Sequence, residues 1–89
     1  MITIQNIQEF FDNLSEKQIN EVMQCNKDFV LCEISYSNAC VWFDVTSMYY
    51  DEETENEAND NGQLFCDKDT FLQLYKESES LNPFLMEYL

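Results

Sequence analysis

Apolar residues recur at helical spacing near the start of the chain: Ile4, Ile7, Phe11 and Leu14 lie three or four positions apart, and Phe10 widens the stripe. This spacing puts them on one face and predicts an amphipathic helix over about 4–13, capped by Thr3. Ser15-Glu16-Lys17-Gln18 then forms a capping box, with Ser at the cap and Gln three residues on. It opens a second helix to about Cys25, with Ile19, Val22 and Met23 inward and Leu14 stapled onto Ile19. The period next falls from 3.6 to 2. Val30, Cys32, Ile34 and Tyr36 alternate with Leu31, Glu33 and Ser35, predicting a strand over 29–36. Ser37-Asn38 offers a tight turn. A second strand follows over about 39–50, where Val41, Phe43 and Val45 alternate with Cys40, Trp42 and Asp44. Both faces of this strand are apolar, so the sheet needs cover on both sides: helices on one, the C-terminal tail or a partner on the other.

Residues 51–62 carry six acids (Asp51, Glu52, Glu53, Glu55, Glu57 and Asp60), no basic residue and the chain's single glycine, Gly62. With no apolar stripe, this segment reads as a loop or an extended arm. A short strand resumes over 63–66. Asp67 or Asp69 caps a third helix to about Ser80, with Phe71, Leu74, Tyr75 and Ser78 in register. Asn82-Pro83 is a cap followed by a proline at the first helical position, opening a terminal helix over 84–89. The fold class is α+β, in a single domain: a helical hairpin, a small antiparallel sheet of two to three strands, and a C-terminal helix. A chain of 89 residues buries roughly 60–65% of its unfolded surface, enough for one core.

Charge changes the picture most. Eighteen Asp and Glu face four lysines, with no Arg and no His, for a net charge of −14. Solubility alone needs a magnitude of only about 2–8 in a small domain, and a large single-sign field steers a partner of the opposite sign. Direct nucleic-acid binding runs on Lys and Arg displacing counterions; Lys17, Lys27, Lys68 and Lys76 are scattered. An anionic membrane surface is excluded on the same ground. The start of the chain has neither the basic residues nor the apolar run of a signal peptide, and no stretch approaches the roughly 18 apolar residues of a membrane span. A cytoplasmic location is therefore expected. In that compartment Cys25, Cys32, Cys40 and Cys66 are expected as free thiols, with Cys32 buried on its strand.

Catalysis and cofactors are not expected. Without His the commonest general base near neutral pH is missing, and without Arg so is the bidentate phosphate clamp. The cysteines show no C-x₂-C pair for zinc. Glu57-x-Asn59-x-Asn61-Gly62 imitates the start of a calcium loop, but the twelfth position is Lys68 where a bidentate Glu is needed. What remains is the acidic constellation. Glu53, Glu55 and Glu57, two apart in an extended chain, would stand about 6.6–6.8 Å from one another. Glu9, Asp12, Glu16 and Glu21 approximate the one-turn spacing of a helix, about 6 Å. Both distances are near that of successive phosphates along a strand. Asp44, Asp51, Glu52 and Asp60 extend the field beside Tyr49 and Tyr50.

In size, charge, α+β pattern and the acidic run 51–60, the chain resembles the DNA-mimic inhibitors of phages and mobile elements, among them antirestriction and anti-CRISPR proteins. The resemblance implies an acidic surface that competes with DNA for the basic groove of a host nucleic-acid-binding protein, in the host cytoplasm. An alternative is an acidic immunity protein or antitoxin capping a basic nuclease toxin, with Tyr49, Tyr50 and Trp42 as aromatic anchors beside the acids. A third is an adaptor that dimerises through its apolar tail, Phe84, Leu85, Met86, Tyr88 and Leu89, a tail that could equally pack back on its own core.

Overall fold

The structure, a computed structural model, describes residues 6–89; Thr3 and Ile4, the expected cap and first turn, lie outside the described residues. Helix α1 (Ile7–Asp12) starts behind Asn6, an extended residue whose Oδ1 accepts the Glu9 N–H at 3.0 Å. The helix α2 (Glu16–Gln24) opens on the expected capping box: Ser15 Oγ accepts the Gln18 N–H at 3.2 Å, and Gln18 Oε1 accepts the Ser15 N–H at 2.9 Å. The same Gln18 amide donates to the Phe43 carbonyl at 2.6 Å, tying α2 to the sheet.

Strands β1 (Phe29–Ser37) and β2 (Cys40–Met48) pair antiparallel in one unbroken register, from Phe29 opposite Met48 to Ser37 opposite Cys40. Their turn is Asn38-Ala39, one residue later than the spacing suggests, with φ of 49° and 65°. Positive φ at both central residues is the geometry that matches hairpin twist, but in alanine it costs about 1 kcal/mol. Ala39→Gly should therefore raise stability by about 1 kcal/mol and Tm by roughly 4–8 °C. A thermal midpoint that stays put would show the turn to be unstrained.

Next come α3 (Glu52–Asn61), β3 (Leu64–Asp67), α4 (Lys68–Glu77) and α5 (Pro83–Met86). The sheet order is β2-β1-β3, and β3 pairs only with residues 29–32 of β1. Asp67 caps α4, accepting the Thr70 N–H at 2.7 Å. That bond holds the Asp67 carboxyl below its usual range, so the cap contributes at neutral pH and is lost as pH falls through the lowered pKa.

One face of the sheet, with Val30 and Cys32 fully buried, closes on Phe10, Phe11, Leu14, Ile19, Val22, Phe71, Tyr75 and Leu85. Four edge-to-face ring pairs run through or border this core: Phe11 meets Phe71 at 5.2 Å, Tyr75 at 5.3 Å and Phe10 at 5.9 Å, and Phe10 meets Phe43 at 6.1 Å. Each pair adds about 0.5–1.5 kcal/mol beyond area burial. The α+β class, the helical hairpin, the small antiparallel sheet and the C-terminal helix are all present.

Two expectations are corrected. Residues 51–62 are not a loop or an arm. Asp51 Oδ2 caps α3 by accepting the Thr54 N–H at 3.3 Å and its hydroxyl at 2.7 Å, and Gly62 closes the helix at φ 69°. Acids in a first turn are stabilised by the helix dipole, and Glu52, Glu53 and Glu55 occupy it. The second cover of the sheet is likewise not the tail. Tyr50 sits 5.2 Å from Phe29 and 6.1 Å from Phe65, rings of the face opposite the core, and its hydroxyl donates to Glu55 of α3 at 3.3 Å. Ala58 of α3 is buried and the helix packs against β3. Of the two arrangements open to the tail, it takes the one against its own core: Leu85 is buried, Phe84 packs beside it, and the Tyr88 hydroxyl reaches Asn20 of α2 at 3.5 Å. Leu85 therefore has no surface to offer a second copy, whereas Met86 and Leu89 stay exposed.

The tail is held by Asn82, itself buried. Its Nδ2 donates to the carbonyls of Phe11 at 2.9 Å and Leu14 at 3.0 Å, while its Oδ1 accepts the Phe84 N–H at 3.1 Å. Its own carbonyl accepts the Tyr75 hydroxyl at 2.8 Å. Beside it, buried Ser80 donates to Asp12 Oδ1 at 2.5 Å and accepts the Asn82 N–H at 3.3 Å. Burial, aided by the Asp12 charge, pushes the Tyr75 phenol up.

Candidate protein-interaction surface

Helix geometry resets the acidic constellation. At 100° per residue, Glu53, Glu57 and Asp60 line the side of α3 turned away from Ala58, with Glu52 beside them, and all four are exposed. Glu53 and Glu57 are one turn apart, about 6 Å along the axis. Glu55 falls between the outer and buried sides and is half-buried against Tyr50. The equal spacing expected of Glu53, Glu55 and Glu57 in an extended chain is absent; a ridge of Glu53, Glu57 and Asp60 replaces it.

The sheet divides the remaining candidates. Asp44 projects from the outer face, directly across from Glu33, whose carboxylate accepts the Gln63 amide at 3.0 Å. It thus shares a side with α3, Asp51 and Tyr50. Glu9, Asp12, Glu16 and Glu21 are exposed on α1, α2 and their connection, on the core side of the sheet. The fold does not join the two groups. Within the second, Asp12 already binds Ser80, and Glu21 lies 4.0 Å from Lys17, the one salt bridge among the described residues. Tyr49 and Tyr50 are exposed, but neither ring is free on every side: Lys27 Nζ stands 5.7 Å from the Tyr49 centroid, and Tyr50 leans on Phe29 and Phe65. Partial burial and the neighbouring Glu55 push the Tyr50 phenol up.

The elements of the outer side bring no compensating charge of their own. From Asp28 to Asp67 the chain holds ten carboxylates and not one basic residue. This stretch comprises the β1–β2 hairpin, α3 and β3.

At the end of the hairpin, Trp42 stands out from sequence as an anchor, whereas Tyr36 and Val41 do not. Tyr36 is 63% exposed, Trp42 56% and Val41 44%. Residues 34–43 contain no charge at all, and that gap in so acidic a chain was the signal available.

All four cysteines are free thiols, and Cys32 is buried on β1. Burial raises the Cys32 thiol well above its ordinary pKa and pushes Cys66 up to about 11; the Lys27 N–H lowers Cys25. No cluster of three or more metal-ligating side chains occurs among the described residues. A depression of about 280 Å³ is lined by Ile7, Gln8, Leu74, Glu77, Ser78 and Glu79, and one of about 480 Å³ by Asp28, Phe29, Asp67, Lys68 and Asp69. The second has its one cation engaged, since Lys68 Nζ donates to the Cys25 carbonyl. No helix among the described residues is long and apolar enough to cross a membrane. No family model matches the chain, and neither a curated protein nor a solved structure is found to match it.

Proposed function

We propose that this protein is a DNA-mimic inhibitor, acting in the cytoplasm without catalysis. Its acidic outer side occupies the basic DNA-binding surface of a DNA-binding or DNA-modifying host enzyme of restriction or CRISPR defence. The observation that carries this reading is the stretch from Asp28 to Asp67, with ten carboxylates and no cation. Helix α3 adds order to it. Docked through Ala58 and capped at both ends, it presents Glu53, Glu57 and Asp60 as a fixed row, so little entropy is lost when a partner meets them.

Capture from host lysate on the immobilised protein at stepped salt tests the reading. A basic DNA-binding protein should be retained at low salt and displaced by duplex DNA. Failure of DNA to displace the retained protein would refute mimicry. The exposed Trp42 beside Asp44 favours one other reading, an immunity protein capping a nuclease toxin. That reading requires a single partner, held tightly even at high salt.

A further inference from the structure

The end of the β1–β2 hairpin stands clear of both layers that cover the sheet. β3 accompanies β1 only as far as Cys32. Beyond it the two strands pair only with each other; Ile34 and Phe43 still pack against the core, and between them, over residues 35–42, the side chains are in solvent on both faces. Tyr36 and Val41 are directly opposite each other on the face that deeper down forms the core, and Trp42 is on the other face, across from Ser35. All three are exposed. No charge lies between Ile34 and Phe43, while Glu33 and Asp44 face each other at the base of this uncharged end.

We infer that the end of the hairpin is an apolar blade that enters a cleft on the basic partner, with Tyr36, Val41 and Trp42 desolvated inside it and the carboxylates gripping its rim. The inference rests on the reading of the protein as a binder of basic surfaces and specifies where that binding is anchored. Two observations select the occupant. A flat surface would cover one face of the blade and leave the other wet, so the exposure of both faces calls for a cleft. The charges at the base and on α3 are all negative, which makes the rim of that cleft basic. A second copy of this chain fits poorly, since it would bring its own −14 against the same carboxylates. The division of labour is the usual one for strong interfaces: buried aromatics hold the complex, and peripheral charges guide and surround it.

The chain's single tryptophan is on the blade and reports directly. The probes are oligolysine, which is basic only, and an amphipathic helical peptide of Lys and Leu, which is basic and apolar. Both should bind at low salt. Only the Lys/Leu peptide should move Trp42 emission to shorter wavelength, shield it from acrylamide and persist as salt rises. Tyr36→Ser with Val41→Ser should weaken that peptide about tenfold and leave oligolysine unaffected, with far-UV circular dichroism verifying the fold. Lys/Leu binding that leaves Trp42 emission and quenching unchanged would overturn the blade while sparing the electrostatic reading. If neither peptide binds at low salt, the reading as a binder of basic surfaces fails, and the blade with it.

Discussion

Asn82→Ala will destabilise the protein by about 3–5 kcal/mol, a large share of the roughly 5–10 kcal/mol total expected of a domain this size. The substitution acts in two places. At the start of α5 it removes a cap, worth about 0.5–2 kcal/mol. Between α1 and the tail it removes the donor that satisfies the buried Phe11 and Leu14 carbonyls, at about 1–3 kcal/mol for each group left bare. The Tyr75 hydroxyl keeps its acceptor, because the Asn82 carbonyl is main chain. Urea unfolding of Asn82→Ala beside Asn82→Ser separates the two contributions, since serine can cap but cannot reach both carbonyls. If Asn82→Ser recovers nearly all the lost stability, the bridge to α1 contributes little and the cap alone matters.

The second large effect is kinetic. Neutralising the outer row of α3 as Glu53→Gln, Glu57→Gln and Asp60→Asn should slow association with a basic partner roughly tenfold at low salt, a modest part of the 10–10³ that steering supplies. The difference should shrink as salt rises, the Debye length being about 8 Å at physiological strength. Dissociation should stay nearly constant if these charges form a rim. Stability should change little. Glu53 loses its favourable place near the helix start, whereas relief of the Glu53–Glu57 repulsion and loss of a negative charge at the helix end offset it. The matched control is Glu9→Gln, Glu16→Gln and Glu21→Gln, on the other side of the sheet. Stopped-flow association unaltered by the α3 change but slowed by the control would move the contact surface to the helical hairpin.

The acidic helix and the blade were hard to read from sequence for different physical reasons. Helices α1, α2 and α4 bury apolar stripes, and stripes leave a period. Helix α3 buries only Ala58 and leaves none; its evidence was confined to its ends, in Asp51 with Thr54 and in Gly62. Asp-x-x-Thr before a polar run and Gly after it are cap signals, outweighed here by the pull of an acidic, glycine-terminated segment toward a loop. The capping box at Ser15 and the cap at Asn82 were legible because apolar residues stand beside them. The hairpin was legible as a hairpin, but its alternation continues past the point where the core stops. How much of β1 is covered depends on the length of β3, a tertiary property that no local pattern in β1 encodes. The division of the acids between two sides of the sheet was hidden for the same reason.

The shortness of β3 also grades stability along β1. Residues 29–32 are hydrogen-bonded on both sides and lie over the core, so freeing their amides requires the whole domain to open. Beyond Ile34 the strand has β2 alone, a strained turn and no packing layer. There the backbone opens by local fraying at a small fraction of the global cost. One strand therefore joins a slow-exchanging anchor to a fast-breathing end, and the segment free to adapt its shape to a partner is the one that carries Tyr36, Val41 and Trp42.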